Sequence, residues 1–182
     1  MLKKVSIVIA LVLLLAGCAT CKDVAKKSTD EQGEPPVILD SYAPESIRPG
    51  TTWRVYLKAQ DADGDMKYIV AELWQAGVGY YTNNFTYIKG ADREGFAGYL
   101  VLRTPSDTTL IGDEFILMVL VRDCQGNKAE PIYLPLTFDY GAPQGIPEGW
   151  ETATNRRLGN ILIDIESSQR YNSGDGSNIF SK

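Results

Sequence analysis

The chain contains no histidine. That removes Ser-His-Asp and Cys-His catalysis, the usual zinc sites and the commonest general base. Cysteine is scarce, with three residues. Glycine-rich phosphate loops and heptad repeats are also lacking. The longest apolar run, Val5 to Leu15, is broken only by Ser6, and it falls short of the roughly 20 residues needed to span a bilayer. Basic residues are outnumbered, 18 Lys+Arg against 23 Asp+Glu, for a formal net charge of −5. An acidic body argues against nucleic acid as a partner and against a polybasic membrane-surface patch. The length suits one domain with one good core.

What is present begins with an ordered leader. Met1-Leu2-Lys3-Lys4 is a short positive segment, Val5 to Leu15 is the apolar core, and Leu15-Ala16-Gly17-Cys18 closes it. Charge, apolar core and small residues at a cleavage point make a secretory signal. Leu15-Ala16-Gly17-Cys18 resembles the lipobox of bacterial lipoproteins. The resemblance implies cleavage before Cys18, a diacylglyceryl thioether on Cys18 and acylation of the new N-terminus. Two or three acyl chains anchor stably where one is marginal. An ordinary signal peptide or an uncleaved anchor is the alternative. Residues 1–17 are then a signal peptide, and the mature chain of 165 residues carries a formal charge of −7 once Lys3 and Lys4 are lost. Ala19 follows Cys18, which in Gram-negative lipoprotein sorting favours the outer membrane. Residues 18–36 are polar, without apolar periodicity, and end in Pro35-Pro36. They read as a lipidated N-terminus and flexible tether. In an oxidising envelope Cys21 and Cys124 are a candidate disulfide, the alternative being two unpaired thiols.

From Val37 the pattern becomes short strands between turns. Trp53, Val55, Leu57 and Ala59 alternate with Arg54, Tyr56, Lys58 and Gln60, the period of a half-buried strand. Ile69, Ala71 and Leu73 share one face of the next strand, and further strands are expected near 80–89, 96–104, 114–122 and 132–138. Pro135 cannot donate to a ladder, so the last strand belongs at an edge or a bulge. About seven strands over residues 37–139 indicate an all-β antiparallel sandwich. Leu57 to Asp65 followed by Lys67 to Val70, and Leu117 to Asn127, resemble segments of bacterial Ig-like and fibronectin type III-like modules. The first looks like a B–C strand pair and the second like an F strand turning into G. The paired cysteines of antibody domains are missing.

Residues Phe115 to Val121 are apolar on both faces of their strand, so the second face needs a cover. Residues 140–182 supply a candidate: a Gly/Pro-rich linker, then Leu158, Ile161, Leu162 and Ile165 at helical spacing, then a flexible Ser/Asn/Gly-rich tail. A short amphipathic helix is expected there, packed on the sandwich or on a partner. Gly159 weakens it, and a short strand over 162–165 is the alternative.

Asp61, Asp63 and Asp65 place oxygen ligands at i, i+2, i+4, which suits Ca²⁺. Met66 stands where an EF-hand needs glycine and the flanks read as strands, so an EF-hand is rejected. Asp61-Ala62-Asp63-Gly64-Asp65 also serves simply as a turn. Among the many aromatics, Trp53, Trp74, Tyr80, Tyr81, Phe85, Tyr87 and Tyr99, most are expected in the core or in cross-strand pairs. Tyr80 and Tyr81 are the candidates for partner binding. The expected function is therefore a non-enzymatic, membrane-anchored envelope module that binds a protein or glycan. The alternatives are a Ca²⁺-dependent adhesion or surface-assembly module and a small hydrolase using carboxylates such as Asp63, Glu94 or Asp113, which would have to face one another.

Overall fold

Alternating apolar residues drive the chain into two sheets. The computed structural model describes residues 33–142 and 145–172. The strands are β1 (Val37–Tyr42), β2 (Ser46–Ile47), β3 (Thr52–Gln60), β4 (Met66–Gln75), β5 (Gly79–Tyr80), β6 (Asn84–Tyr87), β7 (Gly95–Arg103), β8 (Glu114–Asp123), β9 (Ile132–Phe138) and β10 (Arg157–Ile161), followed by one short helix, α1 (Ser168–Asn172). One sheet has the order β1-β3-β7-β10; the other runs β2-β9-β8-β4-β5, with β6 also on β4. Without β2, β5, β6 and β10, the order is A-B-E packed on G-F-C, which is the Ig-like sandwich. The segments that resemble a B–C pair and an F strand are β3–β4 and β8.

The inward positions are those that the period-2 pattern selects. Trp53, Val55, Leu57 and Ala59 from β3 meet Ile69, Ala71 and Leu73 from β4, with Leu100 and Leu102 of β7 and Leu117, Val119 and Val121 of β8 in the same core. The Trp53 indole N–H donates to the carbonyl of Pro44 at 2.7 Å, satisfying the one polar group it buries. Pro135 pairs opposite Ile116, while β2 reaches β9 only at Thr137 and Phe138. The proline therefore lies on an open stretch of edge, where its missing N–H costs nothing.

The tail departs from the helix expectation. Arg157–Ile161 is a strand and pairs in parallel with β7. The apolar pattern there fits two periods at once. Ile161, Ile163 and Ile165 are buried, while Leu162 between them is 77% exposed, so the period that wins is 2. Gly159, Asn160 and β-branched isoleucines disfavour a helix, and the edge of β7 offers a ladder. Gly98 admits the new strand: a Cβ there would lie 2.6 Å from the Arg156 carbonyl and 2.7 Å from Leu158 Cγ. With its amide turned to satisfy both groups, Asn84 of β6 donates to the Asn160 carbonyl at 3.0 Å and accepts from Leu162 N–H at 3.1 Å. β10 thus closes one side of the sandwich, bonded to an edge of each sheet. The segment beyond it is latched by buried polar groups: the Gln75 amide donates to the Glu166 carbonyl at 2.9 Å, and Ser168 N–H donates to Asp113 at 2.9 Å.

The preceding segment covers the centre of the outer face of the four-stranded sheet. Trp150 is buried against Tyr56, ring centroids 5.8 Å apart, and Tyr56 in turn meets Tyr42 and Tyr99. Lys58 Nζ lies 4.3 Å from the Trp150 ring centroid and donates to the Gly149 carbonyl at 2.8 Å. Tyr56, which alternation alone points toward water, is therefore buried from the outside.

Candidate functional site

The expected cover for β8 is spent elsewhere, since β10 joins the opposite sheet. Among the described residues nothing covers the outer face of the six-stranded sheet, and the register shows what it presents. Tyr68 of β4 stands between Tyr87 of β6 and Arg122 of β8. Val70 stands between Phe85 and Leu120. Glu72 pairs with Met118, which pairs with Tyr133 of β9. Trp74 stands between Tyr80 of β5 and Ile116. Aromatics and aliphatics thus fill most outward positions, with Glu72, Glu114 and Arg122 as the charges on β4 and β8. Tyr80, Phe85, Tyr87 and Tyr133 are each more than half exposed. At its centre is a shallow depression of about 420 Å³ floored by Trp74, Ile116, Met118 and Leu120 and flanked by Tyr80 and Tyr133. The Tyr68 ring meets Tyr87 and Phe85 edge-on, at 4.7 and 5.9 Å between centroids, which holds that end of the face rigid.

Of the two tyrosines expected at a partner surface, only Tyr80 is there. Tyr81 is buried, its hydroxyl donating to the Gln75 side-chain oxygen. Neighbours on a strand point to opposite sides, so the pair could not serve one surface. Leu158, Ile161 and Ile165 belong to the core or pack against it, leaving Leu162 alone on the surface. Ile116, Met118 and Tyr133 were not singled out from the sequence, and Trp74 was named only among the aromatics expected mostly in the core or in cross-strand pairs. The two-faced apolar run of β8 was the signal for two of them.

The second cluster lies at one end of the sandwich, where the β3–β4 turn meets the β8–β9 turn. Asp61, Asp65 and Asp123 are each at most 3% exposed. Asp63 is not with them. It lies on the surface and accepts from Glu34 N–H at 2.8 Å. Asp123, absent from the sequence expectation, takes its place because β4 and β8 pair with Met66 opposite Asp123. Its carboxylate is held by Gly126 N–H, Asn127 N–H and the Asn127 amide at 2.6 to 2.8 Å. Asp61 Oδ1 accepts from Asp63 N–H at 3.0 Å. Asp61 Oδ2 and both Asp65 oxygens have no hydrogen bond of ordinary geometry, although the Asp61 carboxyl and the Gln125 side chain stand close enough to Asp65 to act on it. Gly33, where the described chain begins, is bonded to the same turns through Gln125 and Asn127. Cys124 beside the cluster is disulfide-bonded; Cys18 and Cys21 lie outside the described residues. Asp113 is at the far end of the ten-residue β8, about 30 Å away along the strand. It cannot face Asp63 or Glu94 as a hydrolase pair would require.

Burial, reinforced by the charges of Asp123 and Asp61, raises the Asp65 carboxyl from 3.8 to about 6. A raised carboxyl favours the folded state only while it holds its proton. In chelator, stability should therefore fall as pH rises from about 4 to about 6 and level off above that, on account of this group. Urea denaturation at stepped pH checks it, and Asp65→Asn should remove that component of the slope.

No family model matches the chain, and no curated protein matches it either. Among solved structures it is similar to Spo0M, a sporulation control protein from Bacillus subtilis, at 13% identity and TM-score 0.44, over 59% of this chain and 51% of that one. The chain thus matches about half the length of that protein. It is also similar to a PKD domain of an M14-like peptidase from Thermoplasmatales archaeon SCGC AB-540-F20, at 18% identity and TM-score 0.40, over 59% of this chain and 98% of that one. A third is the CARDB domain of a Pyrococcus furiosus protein in complex with di-metal ions, at 10% identity and TM-score 0.35, over 62% and 95%. Identities and scores this low leave activity, ligand and partner untouched.

Proposed function

We propose that this chain is a lipid-anchored envelope protein whose Ig-like domain is a non-enzymatic binding module, with a protein partner seated on the outer face of the six-stranded sheet. The observation that carries the reading is that open face, a continuous aromatic and aliphatic surface on a sandwich whose other outer face is covered at its centre by Trp150. Soluble proteins rarely leave so much apolar surface in one patch without a use for it. Tyrosine and tryptophan beside methionine and aliphatics are the composition of interface centres. A sugar would need hydrogen-bonding groups between the stacking rings, and Glu72 is the one charged group lining the central depression. That favours protein over glycan.

The anchor part rests on the Leu15-Ala16-Gly17-Cys18 motif, which lies outside the described residues. Cys18→Ser should move the protein from the membrane to the soluble fraction on cell fractionation. Continued membrane association in high salt would remove the lipid from the account. The binding part is tested by cross-linked capture of the lipidated protein from its own membranes, wild type beside variants of the open face. A partner lost with those variants supports the reading. A partner captured equally by both, or binding only to immobilised polysaccharide, overturns it.

A further inference from the structure

We propose that the buried acidic cluster between the β3–β4 and β8–β9 turns is a Ca²⁺ site, with Asp61 and Asp65 as its carboxylate ligands and Asp123 as a supporting charge. This goes beyond the binding face and is independent of it. Three carboxylates are almost wholly buried here, and three of their six oxygens have no hydrogen bond of ordinary geometry. An ionised carboxylate taken out of water without a donor or counter-charge is among the costliest arrangements a fold can hold. The unsatisfied oxygens belong to Asp61 and Asp65 of the β3–β4 turn, while Asp123 is already oriented by three donors from its own loop.

The donor set decides the metal. Every group is a hard oxygen, Cys124 is engaged in a disulfide and histidine is absent, which excludes a soft-metal site. The groups come from turns rather than rigid strands, and Ca²⁺ tolerates such irregular geometry where Mg²⁺ does not. As the side chains stand, among the described residues no three carboxylate, histidine or cysteine groups are set to hold a metal. Asp61 and Asp65 therefore bind directly, and carbonyls and water complete the shell. Two direct carboxylates place the affinity with the weaker extracellular modules, at about 10⁻⁴ to 10⁻³ M. The ion would neutralise the cluster and stiffen the two turns that grip Gly33 and Glu34, the point where the preceding chain joins the sandwich.

The test is the melting temperature of the full mature protein in EDTA and in 5 mM CaCl₂, with NaCl matching the ionic strength. Wild type should gain about 3–7 °C with Ca²⁺. Asp65→Asn, isosteric and uncharged, should lose that gain yet melt no lower than wild type in EDTA, because it removes a buried charge. Calorimetric titration of wild type with CaCl₂ should show one site. No gain in wild type, an equal gain in Asp65→Asn, or no titratable site would overturn the proposal. Partner capture by Asp65→Asn should match wild type, so failure here is distinguishable from failure of the binding-face reading.

Discussion

Tyr133→Ala and Tyr80→Ala should each weaken partner binding by about 30-fold, the equivalent of about 2 kcal/mol. Both side chains are more than 60% exposed in the free domain, yet both flank the depression floored by Trp74, Ile116 and Met118. A partner seated there buries two rigid rings whose polar ends remain at the rim, the usual anatomy of an energetic hot spot. The same exposure means that neither substitution removes core packing, so unfolding free energies should stay within about 0.5 kcal/mol of wild type. Binding and stability are thereby separated in one pair of variants. Tyr140→Ala is the control, since Tyr140 is as exposed as Tyr133 and does not line the depression. Equal affinity for wild type, Tyr80→Ala and Tyr133→Ala would sink the placement of the partner.

Trp53→Ala should be the most damaging single change in the core, costing about 4 kcal/mol and lowering Tm by roughly 10 °C. Trp53 is fully buried in β3 with inward neighbours from both sheets, so truncation leaves a large cavity that strands on two sides cannot collapse into. It also strips the Pro44 carbonyl of the indole donor. Trp53→Phe divides the effect: most of the apolar volume stays and the hydrogen bond goes, for a cost of about 1–2 kcal/mol. Thermal unfolding followed by circular dichroism measures both. Tyr133→Ala should melt with wild type in the same experiment. A Trp53→Ala protein that also melts with wild type would contradict the core assignment.

The two-sheet sandwich was legible in the residues because its determinants are local. Trp53, Val55, Leu57 and Ala59 alternate, turn residues fall between the runs, and Pro135 marks an edge. Each is a property of one strand, and the Ig-like order follows from pairing those strands. The fate of the tail was not legible, since Leu158, Ile161, Leu162 and Ile165 satisfy a helical period while Ile161, Ile163 and Ile165 satisfy a strand period. The free edge of β7 and the clearance at Gly98 chose between them, and both are features of a distant part of the chain.

The candidate sites divide in the same way. Spacing put Asp61, Asp63 and Asp65 together, whereas Asp63 turned out to the surface and Asp123, 58 positions after Asp65, joined the other two only through the pairing of β4 with β8. Tyr80 and Tyr81 looked equivalent until strand direction put one on the surface and the other into hydrogen-bonding contact with Gln75. The sequence by itself determined the order of charge, apolar core and Leu15-Ala16-Gly17-Cys18, the acidic balance, the absence of imidazole chemistry and the alternation that builds a sandwich, because those depend on residue type and near spacing. Only the tertiary structure decided which outer face is covered and which stays open. That outcome depends on where a C-terminal strand and Trp150 dock, and docking is set by the shape and free edges of sheets already formed.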